Sequence, residues 1–276
     1  MDAQLFFQAD MAAGEVFAVS GGDAAVFSAP CRDKQTPNED AAAVIHVNGE
    51  AGILVVADGL GGSPAGERAS CLAIRTLIAS VREAPPDDAS LRAAILDGIE
   101  NANRAVSQLG IGAATTLAIA EIRGRSVRTY HVGDSMILVV GQRGKIKLHT
   151  ISHSPVGYAL ESGLLDETEA MHHADRHLVS NVVGTPEMRI EVGPTIPLAR
   201  YDTLLLASDG LFDNLRSDEI AQRIRKGPLK QVMHGLVEDC RRRMQVPCEG
   251  QPSKPDDLTF VAYRRRGPEP DVRRSA

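Results

Sequence analysis

The sequence contains no surplus of positive charge, no paired cysteines and no long apolar stretch. Its 276 residues carry a net charge of −6 at pH 7, whereas a general nucleic-acid binder is normally basic. The cysteines, which are Cys31, Cys71, Cys240 and Cys248, form no CxxC pair, so neither a zinc site nor a disulfide framework is indicated. No apolar run approaches membrane-spanning length, and no secretory signal is visible. We therefore expect a soluble, cytoplasmic protein that binds neither nucleic acid nor membranes.

The predicted helices come in pairs between blocks of several strands. Apolar residues at helical spacing indicate one pair at 64–84 and 90–109, and a second pair at 217–225 and 229–244. This order differs from the strand–helix alternation of a doubly wound sheet, and it favours mainly antiparallel sheets covered by helices. We expect a single domain over residues 1–264, followed by a flexible tail at 265–276.

A polar, histidine-rich insertion at residues 152–184 separates two of the strand blocks. Insertions of this length between regular elements are often functional. His172, His173 and His177 invite a zinc hypothesis, but no cysteine or glutamate-containing zinc motif surrounds them. An exposed flap is the preferred interpretation of this segment. His153, at its start, is a weaker candidate for contact with a substrate.

Three aspartates lie at the ends of apolar, strand-like runs. Asp58 and Asp209 each end such a run and are followed at once by glycine, and Asp256 comes just before another run. Carboxylates at the rim of a buried sheet are costly unless positive charge meets them, and the commonest partner is a hard divalent cation. Gly59 has no side chain in the way of its carbonyl, which could therefore approach a metal. The glycines at 61–62 allow a sharp turn before a helix that starts at Pro64.

These aspartates belong to a set of six short motifs. The motifs are Asn38-Glu39-Asp40, Asp58-Gly59, Thr115-Thr116, Gly133-Asp134-Ser135, Ser208-Asp209-Gly210 and Asp256-Asp257. In this order and spacing the chain resembles the metal-dependent protein phosphatase family, the type 2C serine/threonine phosphatases, over residues 17–263. The resemblance implies an α+β fold with four layers, α/β/β/α, in which helices flank two mainly antiparallel sheets.

The resemblance also implies a role for each matching residue. Asp58 would bridge two divalent ions, Asp209 and Asp256 would complete one of them, and the carbonyl of Gly59 would help to bind the other. Asp134, with Asp209, would hold a third and weaker ion. The ions expected are Mn²⁺ or Mg²⁺, because oxygen-only ligands suit hard cations.

Two further acids and the substrate follow from the same resemblance. Glu39 and Asp40 would hold metal-bound waters. A water bridging the two ions would hydrolyse phosphoserine and phosphothreonine in proteins. The partners implied are therefore proteins phosphorylated by a serine/threonine kinase, and we expect the enzyme to be a monomer.

Two positions depart from the family pattern. Leu60 stands where eukaryotic members often carry a histidine, which indicates a bacterial-type enzyme. Gln35 stands where a phosphate-binding arginine is usual, and neither glutamine nor lysine reproduces a bidentate guanidinium contact. Arg32 is the predicted replacement, Lys34 is close enough in sequence to serve instead, and Arg32 could equally be a solvated loop charge.

Two alternatives stay open at the level of the sequence. Gln35 is compatible with a weakly active or non-catalytic regulator that binds phosphoproteins on the same fold. The three aspartates argue against this regulator, because a pure binding module does not need a costly acid cluster. A phosphatase of small phosphate esters is the other alternative.

Overall fold

Two antiparallel sheets are formed within residues 1–32, 34–60, 65–85, 87–110 and 112–266, which the computed structural model describes. The first sheet has the strand order β1-β4-β5-β6-β7-β10, and β11 also pairs with β7. Its strands are β1 (Asp2–Phe7), β4 (Asp40–His46), β5 (Ala51–Asp58), β6 (Leu117–Arg123), β7 (Ser126–Val132), β10 (Glu191–Val192) and β11 (Ile196–Pro197).

The second sheet has the order β2-β3-β13-β12-β8-β9. Its strands are β2 (Glu15–Val19), β3 (Gly22–Ala29), β8 (Met136–Val140), β9 (Ile146–His149), β12 (Thr203–Ala207) and β13 (Leu258–Arg265).

Helices cover the outer face of each sheet. The helices are α1 (Gly66–Glu83), α2 (Asp88–Ser107), α3 (Pro155–Glu161), α4 (Glu167–His172), α5 (Asp209–Phe212), α6 (Ser217–Ile224) and α7 (Leu229–Gln245). Residues of α1 and α2 share one buried cluster with the first sheet, and residues of α5, α6 and α7 share another with the second. A third cluster fills the space between the sheets. The predicted α/β/β/α arrangement is confirmed.

Strand β5 shows why the central strands read as continuous apolar runs. Side chains alternate between the two faces of a strand. Val55 and Ala57 therefore join the cluster beneath the helices, whereas Leu54 and Val56 join the cluster between the sheets. Both faces are buried, so no polar residue is needed until Asp58 ends the strand.

Antiparallel pairing brings the predicted site motifs to one rim. In adjacent antiparallel strands, the end of one strand lies beside the start of its neighbour. Asp58 at the end of β5 is paired with Asp40 at the start of β4. In the second sheet, β12 ends just before Asp209, beside the start of β13, which follows Asp256 and Asp257.

The predicted elements differ from the observed ones mainly at the edges and in short segments. Strands β1 and β11 and helices α4 and α5 were not predicted, and each is short or lies at an edge of the fold. The turn between β2 and β3 falls at Ser20 and Gly21, where φ is positive. The expected turn at 61–62 and the helix start at Pro64 lie outside the described residues.

The last strand continues slightly past the predicted domain end. Strand β13 runs to Arg265, and Arg266 pairs with Asp23 at 2.5 Å. The rest of the predicted tail, 267–276, lies outside the described residues. Among the helices described, none has the length and apolar character required to cross a bilayer.

Candidate active site

A cavity of about 290 Å³ opens at the rim where the strand ends meet. Its described lining combines acidic residues from both sheets with two lysines and part of the flap. These residues are Lys34, Glu39, Asp58, Gly59, Leu60, Thr116, Asp134, His177, Val179, Asp209, Lys254, Asp256 and Asp257. All five predicted metal-binding residues therefore border one space, although they are separated by up to 198 positions in the sequence (58 to 256).

Asp58 is held in place by the two threonines that precede β6. The Thr116 hydroxyl accepts a hydrogen bond from the backbone N–H of Asp58 at 2.9 Å and bonds to the Ser135 hydroxyl at 2.6 Å. The Thr115 hydroxyl donates to the Asp58 carbonyl at 2.8 Å. Thr116 thereby links Asp58 to the loop that carries Asp134.

The glycine after each rim aspartate permits a close backbone contact. A Cβ atom on Gly59 would lie 2.1 Å from the carbonyl oxygen of Gly66 in α1, and one on Gly210 would lie 1.9 Å from that of Asp257. Neither separation is possible between non-bonded atoms. Both Asp-Gly pairs therefore let the next element pack directly against the rim.

Glu39, Asp40 and Asp257 join segments that are distant in sequence. Asp257 accepts hydrogen bonds from the backbone N–H of Glu39 at 2.8 Å and from Lys34 at 2.8 Å. Lys34 also pairs with the Glu39 carboxylate. The Ser208 hydroxyl donates to Asp40 at 2.8 Å, and this bond links the start of β4 to the end of β12 across the two sheets. Asp257 thus joins the start of β13 to the loop before β4.

Lys254 is the residue whose position sequence reasoning missed. Its ammonium group lies 2.5 Å from Asp209, 2.9 Å from Asp213 and 3.3 Å from Asp256. Burial opposes the charge on this lysine, but the three carboxylates outweigh that effect and raise its pKa. The only sequence signal was a lysine two residues before a predicted ligand, and such a charge is usually solvated.

The buried acids raise one another's pKa values. Burial, followed by the charges of Asp209 and Asp213, raises the pKa of Asp134 to about 7. Burial and the Asp209 charge raise the pKa of Asp256 to about 6, although Lys254 acts in the other direction. The pKa of Asp58 is also raised, first by burial and then by neighbouring aspartates such as Asp40. These shifts mean that the carboxylates lack enough nearby positive charge.

The acidic side chains that line the cavity outnumber its lysines. Among the described residues, six acidic side chains and two lysines line the cavity, which leaves a formal excess of four negative charges. The donor atoms are carboxylate and carbonyl oxygens, the ligands that Mg²⁺ and Mn²⁺ prefer. Two divalent cations would balance this charge, so the residues present suit a pair of hard metal ions.

Arg32 and Lys34 lie in different environments. Arg32 lines a small neighbouring cavity of about 30 Å³ with Arg241 and Asp256, whereas Lys34 lines the acidic cavity itself. Leu60 also faces the acidic cavity, where it supplies no proton donor. The structure therefore brings the five predicted metal-binding residues, Glu39 and Lys34 to one cavity, and it places Asp40 and Arg32 outside the described lining of that cavity.

A second cluster of potential ligands lies beside the flap. In the part of the chain that the structure describes, the one group of three such residues with ligand atoms within 4.8 Å of one another is His131, His153 and Glu191. The predicted acids are not in this group. The two imidazole rings are stacked, with centroids 4.3 Å apart, so their in-plane lone pairs run side by side and do not converge on one ion.

Hydrogen bonds account for this histidine cluster without a metal. His153 Nδ1 accepts from the backbone N–H of Gly133 at 3.1 Å and lies 2.9 Å from the Asn181 amide, which leaves Nε2 to donate to Glu191 at 3.2 Å. His131 Nε2 lies 2.9 Å from the Ile151 carbonyl. His131 thus bonds from β7 to the Ile151 carbonyl, and His153 joins the flap to the Gly133 loop.

A family model for protein phosphatase 2C matches residues 29–244. The chain belongs to the protein phosphatase 2C family. The match includes Glu39, Asp58, Asp134 and Asp209, whereas Asp256 follows its last matched residue. The resemblance stated from the motifs is confirmed.

Named members of this family are similar to the chain in sequence and in structure. Protein phosphatase PhpP of Streptococcus pneumoniae is 32% identical over 196 residues, which cover 68% of this chain and 78% of PhpP. The solved serine/threonine phosphatase of S. agalactiae has a TM-score of 0.76 and 25% identity, over 88% of this chain and 99% of that one. The catalytic domain of the phosphatase PstP, solved with two manganese ions, has a TM-score of 0.69 and 25% identity, over 88% and 98%.

Proposed function

We propose that this chain hydrolyses phosphoserine and phosphothreonine in proteins with the help of Mn²⁺ or Mg²⁺. The observation that carries the proposal is the excess of four negative charges in a cavity lined by the family's acidic motifs. Membership of the protein phosphatase 2C family and the similarity to named serine/threonine phosphatases support it.

The roles proposed for the acids are those that the family resemblance implies. Asp58, Asp209, Asp256 and the Gly59 carbonyl, which all border the cavity, would hold the two ions. Asp134 with Asp209 would hold a third ion, and Glu39 and Asp40 would orient water around them. When bound, the ions supply activation of water and offset charge on the phosphoryl oxygens.

The protein's own groups position these acids and the phosphate. Thr115 and Thr116 fix the backbone of Asp58 through their hydroxyls. Asp257 holds Lys34 at the cavity wall, where its ammonium group can meet a phosphoryl oxygen. Lys34 is thus better placed for this contact than Arg32, the residue predicted from the sequence. The kinase that supplies the substrates, the cytoplasmic location and the monomeric state stay predictions.

Metal-dependent turnover tests the proposal. We expect the full chain to hydrolyse an aryl phosphate and a phosphothreonine peptide when Mn²⁺ or Mg²⁺ is added, and to lose both activities with excess chelator. A sugar phosphate assayed in parallel separates a protein phosphatase from an enzyme for small esters. Absence of turnover with either metal between pH 7 and pH 9 would contradict the proposal.

A further inference from the structure

Lys254 contacts the same carboxylates that the proposed function assigns to a metal ion. Its ammonium group lies 2.5 Å from Asp209 and 3.3 Å from Asp256, and Asp213 completes the set at 2.9 Å. The lysine side chain is 21% exposed. The ammonium group therefore sits within the acid cluster and is not a solvated surface charge.

The backbone around Lys254 is fixed by a buried asparagine. Asn214 accepts a hydrogen bond from the backbone N–H of Lys254 at 2.9 Å and donates to its carbonyl at 2.8 Å. The same amide donates to the Gly210 carbonyl in α5 at 2.9 Å. This double contact ties the lysine to the short helix that begins at Asp209, so the ammonium group is directed at these acids from a defined position.

A divalent ion and this ammonium group exclude each other. Mg²⁺ binds carboxylate oxygens at about 2.0–2.1 Å, and an ion between Asp209 and Asp256 would lie close to the lysine nitrogen. Like charges at such separations repel strongly in a partly buried site. Each cation also satisfies the same carboxylate oxygens. The lysine must move away from the two acids before the ion can bind them.

Lys34 provides a contrast within the same cavity. It pairs with Glu39 and Asp257, neither of which is assigned as a direct metal ligand. We propose that Lys254 is a built-in competitor of the metal: it pairs with Asp209 and Asp256 in the metal-free protein and weakens binding of the ion that they would hold. This inference rests on the proposed function.

Calorimetric titration of Mn²⁺ into the metal-free full chain tests the proposal without an activity assay. We expect Lys254→Gln to bind at least one Mn²⁺ about 10- to 100-fold more tightly than the wild type, the range that loss of one charged hydrogen-bond partner supports. Lys254→Arg retains the charge and should bind as weakly as the wild type. The matched control is Lys147→Gln, which removes a lysine–aspartate pair (Lys147 to Asp202, 2.5 Å) outside the cavity and should leave Mn²⁺ affinity unchanged.

A charge-matched variant covers the case in which Lys254→Gln does not fold without metal. Lys254→Gln combined with Asp213→Asn removes one positive and one negative charge, and it is compared with Asp213→Asn alone. Tighter Mn²⁺ binding in the double variant supports the competition.

Two outcomes would overturn the inference, and they are distinguishable. Equal or weaker binding by Lys254→Gln, or by the double variant relative to Asp213→Asn, would mean that Lys254 does not compete, while the metal assignment survives. Absence of Mn²⁺ binding by every form, including the wild type, would overturn the proposed function together with the inference.

Discussion

The acidic cavity and the histidine cluster differ in how fully neighbouring groups compensate their polar side chains. The ligand atoms of His131, His153 and Glu191 are the more compact group, within 4.8 Å of one another. Every close contact in that cluster is nevertheless explained by hydrogen bonds and ring stacking. The acidic cavity is less compact, and its six carboxylates share two lysines.

We therefore base the proposed metal site on uncompensated charge and not on the proximity of possible ligand atoms. Buried carboxylates without enough counter-charge destabilise a protein, so their presence calls for a cation. The histidine cluster has hydrogen-bond partners for both nitrogens of His153 and for Nε2 of His131, so these atoms do not need a metal. The raised pKa values of Asp134 and Asp256 express this shortage of positive charge.

Removal of one negative charge from the acidic cavity should have the largest effect on activity. Asp209→Asn deletes a proposed metal ligand and a unit of negative charge, and we expect kcat/KM for phosphopeptide hydrolysis to fall by about 10³-fold or more, equivalent to about 4 kcal/mol. Steady-state kinetics and Mn²⁺ titration measure this loss. The metal-free protein should melt no lower than the wild type, because fewer acids repel one another. Unchanged activity would show that the metal assignment is wrong.

The pH dependence of the free energy of unfolding should test whether the acids of the cavity lack positive charge. The folded pKa values of Asp134, about 7, and Asp256, about 6, lie above the ordinary value of 3.8. Between pH 4 and pH 7 the folded protein therefore keeps protons that the unfolded chain loses, and this contribution to stability falls as the pH rises. We expect a loss on the order of 1–3 kcal/mol in the metal-free protein, measured by chemical denaturation in chelator across this range.

Asp134→Asn provides the matched control for that measurement. Burial lowers the pKa values of His131 and His149, and these residues act in the opposite direction, since the unfolded chain gains their protons at low pH. The two proteins share the histidine contribution, so it cancels when the free energy of unfolding of Asp134→Asn is subtracted from that of the wild type at each pH. A variant with the same pH slope as the wild type would refute the role given to the Asp134 carboxyl.

A substitution in the histidine cluster should have the smallest effect on stability and on metal affinity. Glu191→Gln retains a hydrogen-bond acceptor for His153 at a largely exposed position, so we expect a stability change below about 1 kcal/mol and no change in Mn²⁺ or Zn²⁺ affinity. Thermal unfolding and calorimetry measure the two quantities. A loss of Zn²⁺ binding on this substitution would show that the histidine cluster binds a metal, contrary to this expectation.

The layers of the fold followed from the resemblance to the family, and the same motifs pointed to the acids that now border the cavity. Apolar periodicity identified the long helices and the central strands, because those elements are buried on defined faces. Asp58, Asp209 and Asp256 could be placed at one rim because each adjoins a buried strand. Short elements such as α4 carry too few residues for a periodic signal.

The remaining features of the site depend on contacts between distant positions. Lys254 meets Asp209 across 45 positions, and Thr116 meets Asp58 across 58. Neither partner can be chosen from local spacing. Arg32 likewise lines a small cavity with Arg241 of α7, which is 209 positions away in the sequence.

The two rim glycines have a consequence for protein engineering. At Gly59 and Gly210 a single methyl group would overlap a backbone carbonyl, at 2.1 Å and 1.9 Å respectively. A saturation library should therefore yield folded, active clones at these two positions only when glycine is retained, even though neither position offers a side chain to the reaction. Leu60, one residue further on, faces the open cavity and is the place where a library could introduce a proton donor.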